Sequence, residues 1–121
     1  LKKPLRMPDA SIIAADTKPY AADFPQLLCG DLNSDSSSDE QRILHGAGWT
    51  DTYDRVHASS TEPARPIAGP TTAVSHHPPR RRIDYVYFRG AVRPVAAGII
   101  RANALPHPAS DHNFVMADVE I

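Results

Sequence analysis

Proline interrupts this sequence at 12 of its 121 positions, roughly twice the usual share of about 5%. Each pyrrolidine ring fixes φ and removes a backbone donor. The chain is therefore expected to fold as short elements joined by long ordered loops, not as a bundle of long helices. Its length fits one domain with a modest core. A hydrophobic share of 41% separates it from disordered tails.

The formal net charge of −1 excludes a polycation built to coat nucleic acid. Acidic residues outnumber basic ones in positions 1–60, and the reverse holds in 61–121, where four of the six histidines lie. That basic, histidine-bearing half is the side expected to face a phosphate. The single cysteine, Cys29, rules out an internal disulfide framework. It lies in the apolar run Leu27-Leu28-Cys29 and is expected to be a buried, inert thiol. No stretch approaches the ~20 apolar residues of a membrane span. The opening Leu1-Lys2-Lys3-Pro4 has neither an initiator Met nor an apolar region behind it, so it does not read as a signal peptide. The expectation is a chain that begins partway through a longer protein. The compartment stays open, because a removed leader would look the same.

Along the chain there is no repeat and no heptad. Residues 1–24 read as a connector carrying one or two helical turns at most, with an apolar patch at Ile12-Ile13-Ala14-Ala15. Gln26 to Gly30 suits a buried strand. Ser36-Ser37-Ser38-Asp39-Glu40 opens a helix through about His45, with a serine as N-cap and acids in the first turn. Gly46 and Gly48 close it. Residues 57–81 read as an exposed loop rich in Pro, Ser, Thr and His. Arg82 to Phe88 alternates as a strand, with Ile83, Tyr85 and Tyr87 on one face and Asp84, Val86 and Phe88 on the other. Val92 to Ile100 is a second strand, made irregular or an edge by Pro94, and Asn113 to Ile121 is a third. The pattern is α/β or α+β with a mainly antiparallel sheet.

Three polar clusters fall at strand ends: Gly30-Asp31-Leu32-Asn33, Arg82-Ile83-Asp84-Tyr85-Val86, and Ser110-Asp111-His112. Singly, each has a structural explanation as a turn, a paired strand-end charge or a surface imidazole. Together they supply three carboxylates, an amide and an imidazole. That inventory can hold a hard cation, activate a water and steady a phosphoryl group. Rigid scaffolds hold such groups at strand ends.

These motifs, in this order and at these separations, resemble the last half of the endonuclease/exonuclease/phosphatase (DNase I-like) superfamily. Gly48-Trp49-Thr50-Asp51 after the helix fits as well, and the resemblance runs from about Pro25 to Ile121. It implies half of a four-layer α/β sandwich, with residues 25–121 as its C-terminal half and residues 1–24 as a connector from the other half. It also implies a phosphoester hydrolase that uses Mg²⁺ or Mn²⁺. Asp31 would be a general acid/base or metal residue, and Asn33 would position a phosphate oxygen or the attacking water. Asp111 would bind the metal, and His112 would contact the phosphate or act as base. Asp84 would accept a hydrogen bond from His112 and fix its tautomer.

The family's first half brings a metal-binding glutamate, a further asparagine, and another histidine or tyrosine, and none of those motifs is present here. This segment by itself is therefore expected to expose an inner sheet face and to show weak or no activity. Arg80 and Arg82 are candidate phosphate contacts, or else a solvated charge run that keeps a strand end soluble. His76-His77 lacks zinc spacing and reads as loop. Substrates implied by the resemblance span nucleic acid, phosphoinositide and phospholipid headgroup, with phosphodiesters ahead of monoesters. The competing expectation is a non-catalytic interaction module or inactive fragment that keeps the fold.

Overall fold

A computed structural model of the chain describes residues 7–58, 82–101, 106–107 and 110–121. Its elements run α1 (Met7–Thr17), β1 (Gln26–Asp31), α2 (Asp39–Gly46), β2 (Thr50–Asp51), α3 (Thr52–His57), β3 (Asp84–Arg89), β4 (Arg93–Ile100) and β5 (Phe114–Glu120). One antiparallel sheet has the order β1-β3-β2, and β4 pairs with β5 in a second. The mix of helix with antiparallel sheet is the fold class expected from the sequence.

α1 is longer than the one or two turns expected. Pro8 and Asp9 occupy its first turn, where a missing amide costs nothing and a negative charge meets the helix dipole favourably. Ala10, Ile13, Ala14 and Thr17 form a stripe at helical spacing, and Ala10 and Thr17 are fully buried. The stripe is built of small residues, so its apolar contrast in the sequence is weak. α2 begins as expected. Ser38 accepts a hydrogen bond from the Gln41 amide at 3.3 Å, Asp39 and Glu40 fill the first turn, and Gln41 and Leu44 face inward. The chain then turns at Gly48, at φ +91°, a conformation costly for any residue with a Cβ.

Both helices contribute to one core with Leu32, Trp49, Tyr85 and Tyr87. Trp49 donates its indole N–H to Thr17 Oγ1 at 3.2 Å, which ties α1 to the segment after α2. In β3 the predicted alternation holds, with Ile83, Tyr85 and Tyr87 buried, although Phe88 on the other face is buried too. Pro94 marks a break in the β4–β5 register between Pro94 and Ala96, as expected of a residue that cannot donate to the ladder. At the β3–β4 turn Gly90 has φ +78°, and a Cβ there would stand 2.0 Å from the Phe24 carbonyl oxygen. Only glycine fits that approach.

The expectation of a buried Cys29 is overturned: the thiol is exposed. The reason is pleating. Leu28 points into the helix-covered core, so its neighbours Leu27 and Cys29 point to the opposite face, where Leu27 is 47% exposed. Ile100, Phe114 and Met116 on the second sheet are exposed as well. The predicted loop over 57–81 overlaps the helix α3 at His57, and its residues 59–81, with Arg80 and His76-His77, lie outside the described residues.

Candidate active site

The β1–β3 register brings two of the three motifs together. Asp31, the last residue of β1, is the direct partner of Asp84, the first residue of β3. Directly paired residues share a sheet face, so both carboxylates stand on the face away from the tyrosine core. The third motif arrives from the segment before β5. His112 Nδ1 lies 2.8 Å from Asp84 Oδ2, and both side chains are 14% exposed. An ionised carboxylate only accepts hydrogen bonds, so the imidazole donates from Nδ1 and its Nε2 is the basic nitrogen. The His112 amide donates to Ser110 Oγ at 3.0 Å, a local turn that fixes where the ring leaves the backbone.

Asp31, Asp84 and His112 each offer a ligand atom, all within 4.8 Å of one another. Like charges paired across a ladder repel unless something positive stands near them. With His112 Nδ1 engaged by Asp84, Asp31 is the carboxylate of this set turned to a small hard dication, which needs only one or two carboxylates and keeps waters in its remaining positions. By this measure the residues fit Mg²⁺ or Mn²⁺. Asp111 stands outside that set: it is 58% exposed, with its Oδ1 4.0 Å from His112 Nε2.

Asn33 is held beside Asp31. Its amide donates to Asp31 Oδ1 at 2.8 Å, an Asx turn, and it adopts φ +50°, a left-handed conformation that asparagine tolerates better than most residues. Asp31 therefore orients its own loop while keeping its second oxygen for other partners.

Arg82 has a different place from the one its position beside Asp84 suggests. Its guanidinium pairs with Asp51 and lies 3.5 Å from Asp54. It also packs over the rings of Tyr53 and Tyr85, at 5.2 and 4.8 Å from their centroids. With 10% of its side chain exposed, its charge is neutralised within the fold. Asp51 entered the sequence reading only as the end of Gly48-Trp49-Thr50-Asp51, without its pairing to Arg82. It caps α3 by accepting from the Tyr53 amide at 3.0 Å while it holds Arg82. Burial pushes its carboxyl above the ordinary carboxylate value, and the Arg82 charge works against that shift. The sequence carried a signal for it, an aspartate ahead of a short helix, but none for the pairing with Arg82.

A groove of about 640 Å³ runs past Tyr20, Phe24, Leu27 and Trp49 and includes none of the clustered residues. Its lining residues include Asp16, Thr17, Tyr20 and Gln26 but no histidine, so the carboxylate–imidazole cluster is the better candidate site.

Comparison with solved structures gives the same architecture. The chain resembles an endonuclease/exonuclease/phosphatase from Bacteroides vulgatus with a TM-score of 0.69 at 23% identity, covering 95% of this chain and 43% of that one. It resembles an endonuclease/exonuclease/phosphatase family protein from Leptotrichia buccalis C-1013-b with a TM-score of 0.66 at 19% identity, covering 93% and 41%. It also resembles an endonuclease/exonuclease/phosphatase from Beutenbergia cavernae DSM 12333 with a TM-score of 0.62 at 25% identity, covering 95% and 31%. The chain thus spans less than half the length of each. No curated protein matches it. A family model does match, over residues 4–112, a span that holds α1 and all three strand-end motifs through His112, and by that match the chain belongs to the Endonuclease/Exonuclease/phosphatase family.

Proposed function

We propose that this chain carries part of the active site of a divalent-cation-dependent phosphoester hydrolase that acts on phosphodiesters ahead of monoesters. The carrying observation is the convergence of Asp31, Asp84 and His112 within 4.8 Å. The 2.8 Å contact between His112 and Asp84 supports it, because it leaves His112 Nε2 as the nitrogen that can exchange a proton.

In this reading Asp84 holds the imidazole in one tautomer and steadies it when it is protonated. His112 Nε2 meets the phosphoryl group or takes the proton of the attacking water. Asn33 binds a phosphate oxygen or orients that water. Asp31, with Asp111 from the rim, would hold the cation. A bound Mg²⁺ or Mn²⁺ supplies Lewis-acid polarisation of the phosphoryl oxygen. The remaining groups of the site are proposed to come from a first half of the fold, with residues 25–121 forming the second half and residues 1–24 leading into it. The substrate is drawn from nucleic acid, phosphoinositides or phospholipid headgroups. No described helix is long and apolar enough to cross a membrane.

The test is hydrolysis of a chromogenic phosphodiester by the longest native protein containing this chain, in Mg²⁺, Mn²⁺ and EDTA, beside Asp31→Ala and His112→Ala. Turnover that EDTA abolishes and that falls at least about a hundredfold in both variants is expected. Folded protein that turns over no phosphoester sinks the reading and leaves a non-catalytic interaction module. Turnover indifferent to both substitutions means that the site lies elsewhere.

A further inference from the structure

The loop that carries Asn33 is tied down from behind by a buried phenol. After Asn33 the chain turns inward, so that Ser34 is only 2% exposed. There the Ser34 carbonyl accepts a hydrogen bond from the Tyr85 hydroxyl at 3.0 Å, and Ser34 Oγ accepts one from Gln41 Nε2 at 3.0 Å. The same phenol oxygen is 2.9 Å from the Arg82 carbonyl oxygen, two residues ahead of Asp84. A hydroxyl has one hydrogen, which these two carbonyls share. One atom thus spans the loop of Asn33 and the entry to the strand of Asp84.

The ring that carries this hydroxyl is itself fixed. It stacks on Tyr87 at 5.2 Å between centroids and lies under the Arg82 guanidinium at 4.8 Å. Tyr87 in turn donates to Gln41 Oε1, which leaves the Gln41 amide nitrogen facing Ser34. Because Tyr85 adjoins Asp84 in β3, its side chain points to the opposite face. The phenol therefore acts from inside the core and not as a group that touches what the cluster binds.

We propose that Tyr85 is a positioning residue whose hydroxyl, by holding the Ser34 carbonyl, sets where Asn33 stands relative to Asp31 and Asp84. Its effect on catalysis rests on the phosphoesterase reading; its effect on the loop does not. A carboxamide serves a reacting phosphate only from a narrow range of positions, and Asn33, on an Asx turn, has no regular ladder of its own to hold it there.

Tyr85→Phe removes the hydroxyl and keeps the ring. Trp49→Phe is the matched control, since it deletes the indole donor to Thr17 in the same core. The first measurement is amide hydrogen exchange at Asn33, read by NMR on the folded protein. Tyr85→Phe is expected to speed it about tenfold, and Trp49→Phe to leave it unchanged. The second is a double-mutant cycle on kcat/KM. Tyr85→Phe should cost about tenfold alone and nothing further in an Asn33→Ala background.

Unchanged exchange at Asn33, equal acceleration in the control, or full multiplicative losses in the cycle would each overturn the proposal. If Tyr85→Phe does not fold, Tyr85→Met, which fills much of the ring's volume without the hydroxyl, takes its place in both measurements with the same signs. Wild-type protein with no phosphoesterase turnover would fail the functional reading alone, and hydrogen exchange would still decide the role of Tyr85.

Discussion

His112 Nδ1 stands 2.8 Å from Asp84 Oδ2, and the pair joins the start of β3 in one sheet to the segment entering β5 in the other. Removing either partner should affect chemistry more than folding, because each side chain keeps some solvent access. Asp84→Asn and His112→Ala are each expected to lower turnover by about 10²- to 10⁴-fold. Steady-state kinetics on the native protein, with circular dichroism to confirm folding, checks this. A loss below tenfold in Asp84→Asn would remove the orienting role assigned to that carboxylate.

The Asp51–Arg82 pair makes the opposite prediction. With 3% and 10% of the two side chains exposed, deleting one partner leaves the other charged and buried. Arg82→Met is expected to cost about 3 kcal/mol of stability, measured by denaturant unfolding. Asp51→Asn should cost less, because its amide oxygen can still cap α3.

Alkaline titration should show the burial of Tyr85 and Tyr87. Burial holds the phenols of Tyr85 and Tyr87 above the ordinary value of 10. The folded state therefore binds those protons more tightly than the unfolded state. The stabilisation is complete below about pH 10 and is lost as pH rises further. Phenolate absorbance should show these two ionising only together with unfolding, and Tyr87→Phe should flatten the fall in stability. Ionisation of Tyr85 and Tyr87 near pH 10 in folded protein would contradict the burial.

Exposed Cys29 should be modified by a thiol reagent in the 121-residue chain without denaturant. Protection in a longer protein containing this chain would show that other residues cover the face shared by Leu27 and Cys29. Slow reaction in the chain itself would contradict its exposure.

The sequence alone determined what depends on neighbours in the chain. A serine cap ahead of α2, the alternation of Ile83, Tyr85 and Tyr87, the irregularity at Pro94 and the three strand-end motifs are all set by spacing of a few residues, and each was legible there. The resemblance also implied a contact between Asp84 and His112, and that contact exists. Tertiary structure decided what depends on which surfaces meet. Cys29 sits in an apolar run, yet pleating turns it to the open face. Arg82 lies two residues from Asp84, yet its guanidinium goes to Asp51, because the fold brings the α3 cap and the Tyr53 and Tyr85 rings against it. The small-residue stripe of α1 shows its purpose only once α2 and Trp49 pack on it. The tether from Tyr85 to Ser34 links residues far apart in the chain. No local pattern encodes it, because its geometry follows from the β1–β3 register.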